Sequence, residues 1–79
     1  MSVAYWNKKM RDKIIEALCK KYKGVIAEAE ANVEIYLTNP AGIGEHPDIL
    51  AAIDSQLAII SEAREKLECI REFYLANYD

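Results

Sequence analysis

The sequence predicts an all-α fold, an antiparallel two-helix hairpin that self-associates into a four-helix bundle. Three observations predict it. Apolar residues recur at spacings of three and four along two long stretches, and both prolines fall in the one short segment between those stretches. The charges are also segregated so that folding the chain back on itself brings opposite signs together.

The first helix is expected over about residues 3–38. No proline interrupts Val3 to Leu37, and Ile15, Leu18, Tyr22, Val25, Ala29 and Tyr36 step by three and four, with Asn32 and Val33 around the one missing step. Gly24 lies inside this run and costs on the order of 1 kcal/mol relative to alanine, which marks it as a candidate for a bend or a close helix crossing. The loop is expected at about 39–46. Thr38-Asn39-Pro40-Ala41-Gly42-Ile43-Gly44-Glu45-His46-Pro47 concentrates the turn-forming residues, and the residue before each proline is pushed away from the α region.

The second helix is expected over about 47–77, in a single domain spanning 1–79. Pro47 suits a first helical position because its φ is already near the helical value, and Asp48 then falls in the first turn, where the dipole favours a carboxylate. Leu50, Ile53, Leu57, Ile60, Ala63, Leu67, Ile70 and Tyr74 form its seam. Residues 8–23 carry a net +5, and the far end of the second helix carries Glu62, Glu65, Glu68 and Glu72. An antiparallel hairpin sets these two segments side by side.

Self-association follows from the width of the apolar arcs. Ile14 and Ile15, Val25 and Ile26, Ile59 and Ile60, and Phe73 and Tyr74 are adjacent pairs separated by about 100° around the helix. One partner helix covers only part of such an arc, whereas a bundle of two hairpins covers it. The expected oligomer interface comprises Leu50, Ile53, Leu57, Ile59, Ile60, Leu67, Ile70, Phe73 and Tyr74. The first partner is therefore a second copy, in a homodimer or higher closed oligomer, and another protein is the next.

Composition narrows the class. With 52% apolar and 29% charged residues, 3 glycines and 2 prolines, the chain is outside the disordered classes. No apolar run approaches the roughly 20 residues needed to span a bilayer. The segment Met1 to Lys13 lacks the continuous apolar stretch of a secretory signal, so a cytoplasmic location is expected. Cys19 and Cys69 fall at comparable heights on opposed helices, yet in such a compartment they read as separate thiols. With His46 distant from both, they do not make a zinc site, and no metal or other cofactor is expected.

The remaining candidate is the loop. Gly42, Ile43, Gly44, Glu45, His46 and Asp48 place backbone N–H groups before a helix N-terminus, where a nucleotide or other anion is attracted, with Lys20, Lys21 or Tyr22 of a neighbouring copy as helpers. Turn formation and helix capping explain the same residues. Glu45 and Asp48 oppose an anion there, and the strand that precedes a phosphate-binding loop is missing from the pattern. His46 has no nucleophile beside it, so no enzyme is expected. The basic run Lys8 to Lys23 has the charge to bind nucleic acid, but the chain carries −3 overall and the glutamates of the second helix answer the run, so nucleic acid is not expected as a partner. Trp6, Tyr5, Tyr74 and Tyr78 gather at the open end of the hairpin, where aromatics close a core or an interface.

Two resemblances are carried by particular residues. His46-Pro47-Asp48 is similar to the tripeptide of J-domain co-chaperones, but the strongly basic helix that precedes it in that family is replaced here by a segment holding Glu28, Glu30 and Glu34. Ala29-Glu30-Ala31-Asn32, Asn39 through Asp48, Ile53-Asp54-Ser55-Gln56 and Glu62 through Leu67 resemble small uncharacterised helical proteins of tailed phages infecting marine cyanobacteria. That resemblance implies a phage accessory protein in the host cytoplasm and carries over no activity and no functional residue.

Overall fold

The computed structural model describes residues 3–39 and 48–75, with side chains from Lys8 onward. Helix α1 spans Val3–Thr38 and helix α2 spans Ile49–Phe73, and the two pack against each other along their lengths. The chain is an all-α antiparallel hairpin. The direction is fixed by three cross-helix contacts: Asn32 meets Gln56, Tyr22 meets Lys66 and Arg11 meets Tyr74, so the position on α1 falls as the position on α2 rises.

Each terminus has a local cause. At the end of α1 the Asn39 N–H donates to the Ile35 carbonyl at 2.7 Å, which uses a carbonyl that the helix itself leaves without a partner, and the Thr38 hydroxyl adds a second bond to the Glu34 carbonyl at 2.8 Å. Pro40 follows in the sequence and has no N–H with which to continue the ladder. Helix α2 begins at Ile49, with Asp48 as its N-cap: one carboxylate oxygen accepts from the Ala51 N–H at 2.9 Å. Asp48 thus stands just outside the helix and not in its first turn. At the other end the N–H groups of Tyr74 and Leu75 both donate to the Ile70 carbonyl, and Arg71 in the last turn complements the dipole.

The seam follows the predicted spacing on α1 and departs from it on α2. Ile15, Leu18, Tyr22, Val25, Ala29, Asn32, Val33 and Tyr36 are all buried or half-buried. On α2 the inward positions are Ile49, Ala52, Ile53, Gln56, Ile60, Ala63, Leu67 and Ile70, while Leu50, Leu57 and Tyr74 remain 82%, 51% and 54% exposed. The reason is rotational. Two alanines, Ala29 and Ala63, are among the most buried residues, and small side chains let the helix axes approach closely. Centring α2 on Ala63 and Gln56 turns Leu50 and Leu57 out to one flank.

Gly24 does not mark a close crossing. It is exposed, α1 runs through it without interruption, and a Cβ placed on it would meet no atom within 4 Å.

The hairpin is a rod of 60 × 20 × 16 Å. Its radius of gyration is 17.8 Å, against about 11.6 Å for a compact domain of this length. Among the described residues only Ala29, Ala63 and Ile70 are buried, and no large side chain is completely so.

Candidate interaction surface

The surface is built on a seam that is held in register by polar contacts. The Asn32 Nδ2 donates to the Gln56 Oε1 at 3.1 Å, partly buried between the helices. An amide pair inside an apolar seam disfavours any slide of one helix along the other, because a slide strands both amides. Lys66 Nζ lies 5.4 Å from the centre of the Tyr22 ring, a cation–π contact across the seam. Arg11 donates from Nη2 to the Tyr74 carbonyl at 3.1 Å, so a cation from the start of α1 sits on the negative end of α2.

The expected pairing of the basic side chains of α1 with the glutamates of α2 is not found among the ion pairs that join described side chains. The ion pairs that join described side chains run within a helix: Lys20–Glu16 at 2.9 Å, Lys66–Glu62 at 3.0 Å and the neighbours Arg11–Asp12 at 3.9 Å. Lys20, by hydrogen bond and charge, holds the Glu16 carboxyl below the usual carboxylate value. The Glu62 carboxylate raises Lys66 above the usual lysine value in the same way. All these groups are well exposed to water, so their weight in folding is small.

Around this seam the rod leaves large apolar side chains in water. On α2 these are Leu50, Leu57, Ile59, Phe73 and Tyr74, and on α1 they are Met10, Ile14, Ile35 and Leu37. At 100° per residue, Leu50 and Leu57 share one flank of α2, and Ile59 and Phe73 share the opposite one. Phe73 and Tyr74 meet edge to face with ring centres 6.5 Å apart. Of the residues expected in an oligomer interface, these five are exposed, Ile53, Ile60 and Leu67 are half-buried, and Ile70 is used inside the hairpin. The α1 members of the surface were missing from that expectation, although the adjacent pair Ile14 and Ile15 carried the signal of a second stripe.

Shallow open hollows mark both halves of the rod. One is lined by Asp12, Ile15, Glu16, Cys19 and Leu75 and is almost wholly apolar. Another follows Leu57, Ile60, Ser61, Arg64, Glu65 and Glu68 along α2. Cys19 is half-buried and Cys69 exposed, and both are free thiols. Among the described residues no group of three His, Cys, Asp or Glu side chains is placed to share a metal ion, and no helix is long and apolar enough to cross a membrane.

Of the loop candidates, Gly42, Ile43, Gly44, Glu45 and His46 lie outside the described residues, as do the side chains of Tyr5 and Trp6 and all of Tyr78. Asp48 is described, and its carboxylate occupies the N-terminus of α2 by accepting from the Ala51 N–H. A negative group at this position repels the anion that the loop reading requires. Comparison of the chain with family models, curated proteins and solved structures finds no match, so the surface must be interpreted from its own chemistry.

Proposed function

We propose that this chain is a non-enzymatic helical interaction module that works as a closed homo-oligomer, in the first place a dimer of hairpins forming a four-helix bundle. One observation carries the reading. The chain exposes 6316 Å², whereas a compact monomer of its mass exposes about 4,850 Å². Nine large apolar side chains are exposed among the described residues, and a second hairpin would cover those on one flank of the rod. The flank left free after self-association, with Ile59 and Phe73, is then the surface for a further protein partner. Two free thiols suit the reducing cytoplasm in which such a module would act.

The test is thermal unfolding followed by far-ultraviolet circular dichroism across a hundredfold range of protein concentration. A chain stabilised by its own copies melts higher as concentration rises. A midpoint that stays constant over that range would refute the reading.

A further inference from the structure

We infer that the second copy lies antiparallel to the first, loop end against open end, and that the shared face is the one carrying Leu50 and Leu57 together with the hollow of Ile15, Cys19 and Leu75. This rests on the self-association proposed above and adds to it the face and the direction. Three observations converge on it.

The first is charge. Residues 24–61, the loop half of the rod, hold Glu28, Glu30, Glu34, Glu45, Asp48 and Asp54 and no lysine or arginine, a net −6. Residues 1–23 carry +5 and residues 62–79 carry −2, so the open half is net +3. The hairpin is therefore polar along its long axis. A parallel pair sets the two acidic halves side by side; an antiparallel pair sets each acidic half beside a basic one.

The second is shape. Relative to the inward residues of each helix, Leu50 and Leu57 lie about 100° round α2, and Asp12 and Cys19 of the hollow lie about 100° round α1 in the same sense of rotation, which in an antiparallel hairpin is the same side. The protruding leucines of the loop half and the apolar hollow of the open half thus share one face of the rod. Since Asn32 is level with Gln56, Leu57 is level with about residue 31 of α1, and the hollow is centred near residue 15 or 16. A two-fold axis that exchanges these levels crosses near residue 23 of α1, within about 4 Å of the middle of that helix at 1.5 Å per residue. The same operation seats Leu57 of each copy in the hollow of the other and overlaps the rods almost completely. The axis crosses α2 near residue 65, so the two Arg64 side chains meet there with a Glu68 of each copy about one turn away on either side, and the charges around the axis balance.

The third is area. The exposed surface in excess of a compact monomer is about 1,450 Å² per chain, or about 2,900 Å² for a pair, so a dimer that leaves the flank of Ile59 and Phe73 uncovered needs to bury only part of it to reach the roughly 2,000 Å² at which obligate homodimers begin.

Two experiments on the full chain decide the matter. In light scattering, Leu57→Glu is expected to yield a monomer and Phe73→Glu, on the opposite flank, to leave the dimer intact. For direction, a nitroxide at Asn39→Cys in a Cys19→Ala, Cys69→Ser background reports the distance between loop ends by pulsed electron resonance. The antiparallel pair places these labels about 48 Å apart, from 16 residues on each side of the axis at 1.5 Å per residue. A parallel pair places them within roughly 20 Å, about two helix spacings. The label lies off the shared face, and the background changes that face only by the thiol of Cys19 while leaving its leucines in place, so it decides the direction even where Leu57→Glu unfolds the chain. A dimer with a short distance, or one dissociated by Phe73→Glu and not by Leu57→Glu, overturns this inference and leaves self-association standing. A wild-type chain that is monomeric at every concentration overturns both.

Discussion

Replacing the Asn32–Gln56 pair by leucines tests whether a polar contact sets the register of the hairpin. The two amides meet at 3.1 Å in a partly buried seam otherwise made of alanine, branched aliphatic side chains and two tyrosines. A neutral hydrogen bond contributes about 0.5–1.5 kcal/mol net, and stranding a buried amide costs about 1–3 kcal/mol. Both residues are only half-buried, so an orphaned amide recovers part of its hydration and the lower values apply. Asn32→Leu and Gln56→Leu should each cost about 1 kcal/mol. In the double variant no amide is stranded and two leucines pack in the seam, so most of the loss should return, giving a coupling of about 1–2 kcal/mol. At about 2.1 cal/mol/K per residue, 1 kcal/mol corresponds to roughly 6 °C in the melting temperature of a chain this long. The assay is thermal and urea unfolding of the four proteins at one fixed concentration, since an oligomer's stability depends on concentration. Losses that add to within about 0.3–0.5 kcal/mol would show the two amides to be independent and would refute the register argument. The double variant should also tolerate a slide of one turn, which in the native seam would set Asn32 against Ala52 or Ile60.

Three further outcomes are expected. Gly24→Ala should stabilise the chain by about 1 kcal/mol, because α1 is helical there and the new methyl meets nothing within 4 Å; a loss of stability in the same unfolding assay would contradict the exposed setting. Asp48→Ala should destabilise by about 1 kcal/mol through loss of the bond to the Ala51 N–H, measured by urea unfolding, and Asp48→Asn should restore most of it; equal stability of all three would remove the cap from the account. Glu16 should titrate below an ordinary glutamate by carbon-detected magnetic resonance and move up when Lys20 is replaced by methionine. Because its folded value is lowered, its stabilising effect is present above the ordinary carboxylate range and fades as pH falls through the folded value; an unchanged midpoint in Lys20→Met would sink the pairing.

The residues differ in how openly they announced these roles. The helices were legible because period and punctuation agree: α1 ends at Thr38, where the expectation put it, whereas α2 starts at Ile49, after the Asp48 that caps it, and ends at Phe73 and not near 77, because the Tyr74 and Leu75 N–H groups both turn onto the Ile70 carbonyl. The rotation of α2 was not legible. Spacing by three and four is satisfied equally by Leu50 and Leu57 and by Ile49 and Gln56, and an apolar pattern favours the leucines. What decides is close contact at Ala29 and Ala63 and the amide pair, neither of which stands out in a hydrophobic pattern: alanine is apolar anywhere, and Gln56 looks like a solvent residue until Asn32 is opposite it. The surface inherits this. An interface drawn from α2 alone contained Ile70, which the hairpin buries, and missed Met10, Ile14, Ile35 and Leu37 on α1. The anion site suggested by the glycines cannot be weighed by sequence pattern, because Asp48 serves equally as a cap and as a flanking charge until its bond to Ala51 is seen.

The central claim is that this hairpin completes its core with another copy of itself. Light scattering on a size-exclusion column, over a concentration series of the unmodified chain, measures this directly. A mass of twice the 9.0 kDa chain, or a higher closed multiple, that holds as the protein is diluted is the result the account predicts. A mass of 9.0 kDa at every concentration would contradict it.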